Sequence, residues 1–360
     1  MRLIGTDREA KRFSAYLRKK GIESSVDGDN IWVHNEDQIE QAEQLFAKFQ
    51  ANRQSPEYDV AVSPDDEVAE EMGQEMVDEL TPPRIAHFTS MIIAFCAVLF
   101  FLSSMQEIPL LEKGVPPDAF VPTSIQSTLL FDIPPVFEKL QQTLDQYNPQ
   151  ASRTPPPLPA NIQEEIAAVD KAPYWRGISN YYMLKWAGKD STIADGPLFT
   201  DIRKGEVWRL LTPVFLHGSI LHILFNMIWV WILGKQIELR IGISRYLILS
   251  VIIGVLTNTL QYLVSGPFFL GYSGIIMGLA GFIWSREKVA PWEGYPLHRS
   301  MILFLVLFVV AMFALEITSV VYLLVTTKSF GLNIANAAHI GGAVIGALLG
   351  RLNFFEARPG

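Results

Sequence analysis

"LGYSGIIMGLAGF", residues 270–282, places a serine among glycines in an otherwise apolar segment. Glycine weakens an isolated helix, and a hydroxyl in lipid has no water to bond. Gly271, Ser273, Gly274, Gly278 and Gly281 all interrupt the apolar run. A membrane helix tolerates this when a second helix presses against it backbone to backbone, because small residues permit that approach. The hydroxyl is tolerated if it faces a wet pocket rather than lipid.

The whole chain agrees with a membrane setting. Of 360 residues, 49% are hydrophobic and 18% are charged, against roughly a quarter charged in a soluble protein. The net charge of −8 comes largely from one acidic stretch, and no basic patch interleaved with aromatics suggests a nucleic acid. The single cysteine, Cys96, lies in an apolar run and has no internal partner. The N-terminus lacks a charged-then-apolar signal peptide and is expected to stay in the cytoplasm.

Three parts follow along the chain. Residues 1–58 read as a small α+β domain in the order βαββα: "MRLIG" as a strand, a helix striped by Ala10, Phe13 and Leu17, two strands around an Asp-Gly turn, and a second helix. Asn35 and Gln38 are spaced as a capping box for that helix, with Ile39, Ala42, Phe46 and Phe49 on one face. His34 is expected at the surface. Residues 59–84 are an acidic linker. The remainder is a polytopic bundle, with a first span at 85–105 and a long polar insertion at 106–190. The middle of that insertion, "NPQASRTPPPLP", reads as an extended, stiff linker. The core occupies 191–354, and 355–360 form a cytosolic tail. Using about 20 residues per crossing, the further spans are 217–237, 244–264, 270–286, 300–322 and 337–354.

Charge placement fits six spans with both termini inside. Lys235, Arg240 and Arg245 follow span two, Arg286, Lys288 and Arg299 follow span four, and Arg351 and Arg358 follow span six. The external "SGPFF" has no positive charge, and the loop after span five has only Lys328.

Polar groups inside spans are functional suspects. His222 and Asn226 are four apart and share a helix face. His339 heads span six, with Gly342, Gly346 and Gly350 on its own face. Close packing of spans four and six would bring Ser273 to His339, the minimum for a nucleophile and its general base. Asn226, His222 and the Ser273 backbone N–H are the donors available for an oxyanion. Each signal has a plain structural reading: the glycines as packing, His222 and Asn226 as interhelical glue. Their conjunction at one depth favours chemistry. No H-E-x-x-H, Walker loop or dinucleotide fingerprint is present. Glu316, late in span five, has no obvious cationic partner and is the one feature a transporter would use.

"HGSILHILFNM" (217–227), "GYSG" (271–274) and "NAAHIGGAVIG" (336–346) together resemble the rhomboid intramembrane serine proteases, in the order that family has them. Trp208-Arg209 resembles the family's Trp-Arg pair in the loop after span one, and Gly234 to Glu238 with Arg240 its turn after span two. "IWVHNEDQIEQAEQLFAKFQANRQSPEY" resembles the cytosolic domain of bacterial glycerol-operon-type rhomboids. The resemblance implies a six-helix bundle and a Ser273–His339 dyad without a carboxylate. His222 and Asn226 then stabilise the oxyanion, and Gly271, Gly274, Gly278, Gly342, Gly346, Trp208 and Arg209 have packing roles. It implies a transmembrane protein substrate cut at small residues in or near its span. It also implies the lipid bilayer of a bacterial inner membrane as the setting, no nucleic acid, and no metal or organic cofactor. A catalytically inactive relative that binds membrane clients is the alternative.

Three departures stand out. The 106–190 insertion is longer than the family's usual loop and is expected to recruit substrate, cover the site or act as a spacer. The stretch "VVYLLVTTKSFGLNIANAA" before His339, which resembles the family's lid, is also longer. Met277 stands where the bacterial homologue has a tyrosine stacked on the catalytic histidine.

Overall fold

The computed structural model describes residues 7–27, 30–33, 35–58, 60, 86–116, 119–148, 157–296, 299–326 and 335–357. The chain divides into two compact units, Met1–Arg84 and Ile85–Gly360. The expected first strand, His34, nearly all of the acidic linker, most of the Pro-rich stretch and the centre of the stretch before His339 lie outside the described residues.

The first unit contains α1 (Asp7–Lys19), β1 (Ser24–Asp27), β2 (Asn30–Val33) and α2 (Ile39–Ala51). The strands pair antiparallel, with Val26 opposite Ile31. Ala10, Phe13 and Leu17 are buried as their spacing predicts, against Ile31, Ala42, Phe49 and Tyr58. The start of α2 differs from the expected capping box. Asn35 Oδ1 accepts from the Asp37 N–H at 3.0 Å, and Gln38 Nε2 donates to the Gly21 carbonyl at 3.2 Å. A 3₁₀ turn, Glu36–Gln38, takes the first turn. Ile39 opens α2 exposed rather than on its buried face.

The second unit is helical. In order come α3 (His87–Glu112), α4 (Ser124–Leu129), α5 (Pro135–Gln146), α6 (Ala160–Lys171), α7 (Ile178–Trp186) and α8 (Thr200–Arg203). Then follow α9 (Ile220–Trp229), a π-helical turn (Val230–Gly234), α10 (Lys235–Ile241), α11 (Ile243–Ser265), α12 (Ser273–Val289), α13 (Arg299–Thr326) and α14 (Asn336–Leu349). Among the described residues, four helices are long and apolar enough to cross a membrane: His87–Glu112, Ile220–Ile241, Ile243–Ser265 and Ser300–Thr318. Their large apolar side chains stand outward, as at Phe101, Leu224 and Leu303, which water would penalise and lipid does not.

The two remaining expected spans are short. Helix α12 has 17 residues and α14 has 14, about 25 and 21 Å at 1.5 Å per residue, against a hydrocarbon thickness of about 30 Å. The last span therefore ends at Leu349 and not at 354. The first span continues past 105 to Glu112 and takes Pro109 into its last turn.

The described parts of the insertion are helical and share a core of their own. Its helices α5 and α6 bury Leu140, Leu144, Leu158 and Ile162 together with Val115 and Val121. The sequence of α5 has a wide apolar stripe (Phe137, Leu140, Leu144, all buried) that composition by itself concealed behind the prolines.

Candidate active site

Helices α12 and α14 meet through their glycines. A Cβ placed on Gly342 would overlap the Gly274 carbonyl, one on Gly346 the Gly278 carbonyl, and one on Gly281 the Ala343 carbonyl. On the other side of α12, a Cβ on Gly278 would lie 2.5 Å from Ile253 of α11. These contacts leave no space for side chains, so the two helix axes approach as closely as backbones allow.

That approach aligns the N-terminal ends of both helices. His339 Nε2 lies 2.8 Å from Ser273 Oγ, within hydrogen-bonding distance. Ser273 is the first residue of α12 and half-buried, whereas His339 is buried. His339 Nδ1 is buried and has no hydrogen-bond partner among the described residues, so no described carboxylate orients the ring. Its orientation comes from packing instead: the Phe308 ring of α13 lies 5.9 Å away, centroid to centroid, at 56°. Met277, expected beside the dyad, is half-buried against the apolar core. Phe308 was missed because it sits in a uniformly apolar helix, where nothing in the pattern distinguishes one phenylalanine from the next.

The site is sunk below the end of its scaffold. Gly274 faces Thr257, since a Cβ there would lie 3.1 Å from Thr257 Oγ1. Thr257 precedes the end of α11 at Ser265 by eight residues, about 12 Å along the helix. Ala338 N–H donates to Gln261 Oε1 at 3.1 Å, which ties the start of α14 to the same helix.

His222 and Asn226 reach the site from α9. Gly271, at φ +116°, lies against the His222 ring: a Cβ there would be 2.7 Å from both Cε1 and Nε2, and 3.9 Å from Asn226 Nδ2. Asn226 Nδ2 donates to the His222 carbonyl at 2.8 Å, which leaves its second N–H free to bond elsewhere. Ser219 caps α9 by accepting from the His222 N–H at 3.2 Å. His222, Asn226 and His339 therefore gather about one short segment, Gly271–Ser273, which carries the serine.

Trp208 and Arg209 lie in the loop before α9 and hold backbone. Arg209 donates to the Ser127 and Leu130 carbonyls at 2.7 and 2.8 Å, and Trp208 Nε1 to the Thr128 carbonyl at 3.2 Å. Glu238 of α10 accepts from Phe88 N, Thr89 N and Thr89 Oγ1, capping the start of α3. Glu316 accepts from Asn336 Nδ2, one turn ahead of His339, an amide and not a cation.

Residues 204–355 match the family model of the rhomboid domain, and residues 2–71 match that of the cytoplasmic N-terminal domain of rhomboid serine protease. Curated proteins named rhomboid protease GlpG, from Salmonella paratyphi A, Salmonella newport and Salmonella typhi, are each 36% identical over 160 residues, 44% of this chain and 53% of theirs. The chain thus spans about half the length of the curated relatives it matches. The whole insertion lies between the two matched segments. With the serine and histidine at hydrogen-bonding distance on glycine-packed helices and family matches at both ends, the chain carries a rhomboid domain at 204–355, and its N-terminal segment matches the cytoplasmic domain found in rhomboid serine proteases.

Proposed function

We propose that the protein is an intramembrane serine endopeptidase that hydrolyses peptide bonds in or near transmembrane segments of other membrane proteins. The observation that carries this reading is the 2.8 Å approach of His339 Nε2 to Ser273 Oγ.

In the proposed reaction Ser273 Oγ attacks the scissile carbonyl while His339 Nε2 takes its proton. The same imidazolium then gives that proton to the leaving amine. Water, deprotonated by His339, hydrolyses the acyl-enzyme and regenerates the serine. The developing oxyanion is bonded by the free N–H of Asn226, by His222 and by backbone N–H at the start of α12, where the helix dipole also favours negative charge. A substrate backbone must leave its helix to enter this pocket, so the substrate is a span with small or helix-breaking residues near the cut.

The setting we propose is a bacterial inner membrane with both termini cytoplasmic, supported by the distribution of Lys and Arg. In this arrangement 1–58 is a cytosolic domain, 59–84 its tether, 106–190 an external insertion, and 191–354 the protease core.

The test is cleavage of a membrane-spanning reporter by purified protein in liposomes. Ser273→Ala and His339→Ala should both abolish it, and a fluorophosphonate should label wild type at Ser273. Full cleavage by either variant would exclude the dyad, and an unlabelled wild type would favour a client-binding relative.

A further inference from the structure

The segment Gly266–Tyr272 connects α11 to the serine and is neither helix nor strand. Such a segment has few internal hydrogen bonds and needs other groups to hold it. Its side chains alternate between two walls. Phe268 and Leu270 join a buried cluster with Leu130, Ile133, Phe137 and Leu216. Phe269 joins a second cluster with Phe131 and Tyr262. The insertion contributes to both walls.

The ring contacts are specific. Phe268 lies 5.0 Å from Phe137, 4.9 Å from Phe120 and 5.9 Å from Tyr174, while Phe269 lies 5.7 Å from Phe131. The insertion is itself fastened to the bundle. Asp132 accepts from the Tyr262 hydroxyl at 3.0 Å and from the Thr200 and Asp201 N–H groups at 3.0 and 3.1 Å. Trp175 Nε1 donates to the Tyr262 carbonyl at 2.8 Å. At the start of the segment, a Cβ on Gly266 would lie 2.9 Å from the Arg176 backbone.

We infer that the insertion is a brace for the nucleophile: Phe137, Phe120 and Phe131 are positioning residues that act through Phe268 and Phe269 to hold Ser273 in line with His339. A hydroxyl displaced by about 1 Å can cost up to about a hundredfold in rate, and the core adds its own restraints to those of the insertion. Among them is the bond from the Gly271 N–H to the Pro213 carbonyl at 3.1 Å. The insertion is thereby part of the catalytic framework and not a recruiting arm.

This inference rests on the protease reading. Its test uses the full-length protein in liposomes, comparing wild type, Phe137→Ala, Phe120→Ala and Phe137→Leu. The readouts are kcat and KM on the reporter and amide hydrogen exchange across 266–272. Both alanine variants should lower kcat by about tenfold, leave KM within about twofold, and speed exchange in that segment. Phe137→Leu, which keeps most of the apolar contact, should recover most of kcat. Phe120 is partly exposed (42%), so its variant stands in should Phe137→Ala not fold. An inactive wild type would overturn the protease reading and the brace's catalytic role together. An active wild type whose alanine variants keep kcat and exchange, or change KM alone, would overturn the brace only.

Discussion

Gly346 of α14 is seated directly on the Gly278 carbonyl of α12, with no room between them for a methyl group. This contact and its repeat at Gly342 over Gly274 set the distance between the helices that carry His339 and Ser273. Adding a methyl forces the backbones apart, because a carbonyl oxygen in a helix cannot swing aside. Gly346→Ala should therefore lower stability by about 1–3 kcal/mol and reduce cleavage further by separating the dyad. Ile340→Ala, on an exposed face of the same helix (46% exposed), should change neither. Thermal unfolding in detergent and reporter cleavage check both variants.

The Phe308 ring lies beside the His339 ring, 5.9 Å between centroids. An aromatic pair of this kind contributes about 0.5–1.5 kcal/mol beyond burial. If it orients the imidazole, Phe308→Ala should lower kcat by several-fold to tenfold, and Phe308→Tyr should retain most activity. Equal kcat for Phe308→Ala and wild type would show that the histidine is held by its backbone alone.

Gly271 combines a left-handed φ of +116° with contact to the His222 ring. Alanine there is strained in conformation and collides with the imidazole. Gly271→Ala should nearly abolish cleavage while leaving the helices assembled, as judged by circular dichroism. Asn226→Ala removes a proposed oxyanion donor and should cost no more than about 10²–10³ in kcat, with KM little changed.

Asp132 and Asp201 bind each other's segments reciprocally: Asp132 accepts from the Asp201 N–H and Asp201 from the Ile133 N–H at 2.9 Å. Burial raises the Asp132 pKa above the usual carboxylate value, beyond what its hydrogen bonds restore. Burial acts on Asp201 too, but hydrogen bonds from Lys204 and the Ile133 N–H, with the Arg209 charge, hold it below that value. The contribution of Asp132 is therefore full at low pH and lost as pH rises through its raised value. That of Asp201 is present above the usual carboxylate value and lost as pH falls through its lowered one. Docking of the insertion should tighten as pH falls from neutral toward the carboxylate range, then loosen in stronger acid. Limited proteolysis of the insertion against pH measures this. Asp132→Asn, which cannot ionise, should remove the rise.

The residues of the proposed dyad, though not their meeting, were legible in the sequence because each leaves a local trace. A hydroxyl and an imidazole in apolar runs are costly, so their presence signals use. Glycines recurring at helical spacing on the His339 face mark a close-packed stripe. The first helix of the N-terminal domain was legible for the same reason: Ala10, Phe13 and Leu17 repeat at helical period and are buried. The core of the insertion was not legible in the sequence, because it is assembled from residues spread between Val115 and Ile162.

The amino-acid sequence by itself determined the membrane segments, the polar groups within them and the faces that must pack, since all of these follow from composition and period along one element. Only the tertiary structure decided that Nε2 of residue 339 reaches Oγ of residue 273, that Phe308 backs the ring, and that the insertion grips the serine's own segment. Those are pairings between elements far apart in the chain, such as Asp132 with Tyr262, 130 residues on. They depend on relative depth and rotation of helices, which close packing of the whole bundle sets and no local pattern encodes.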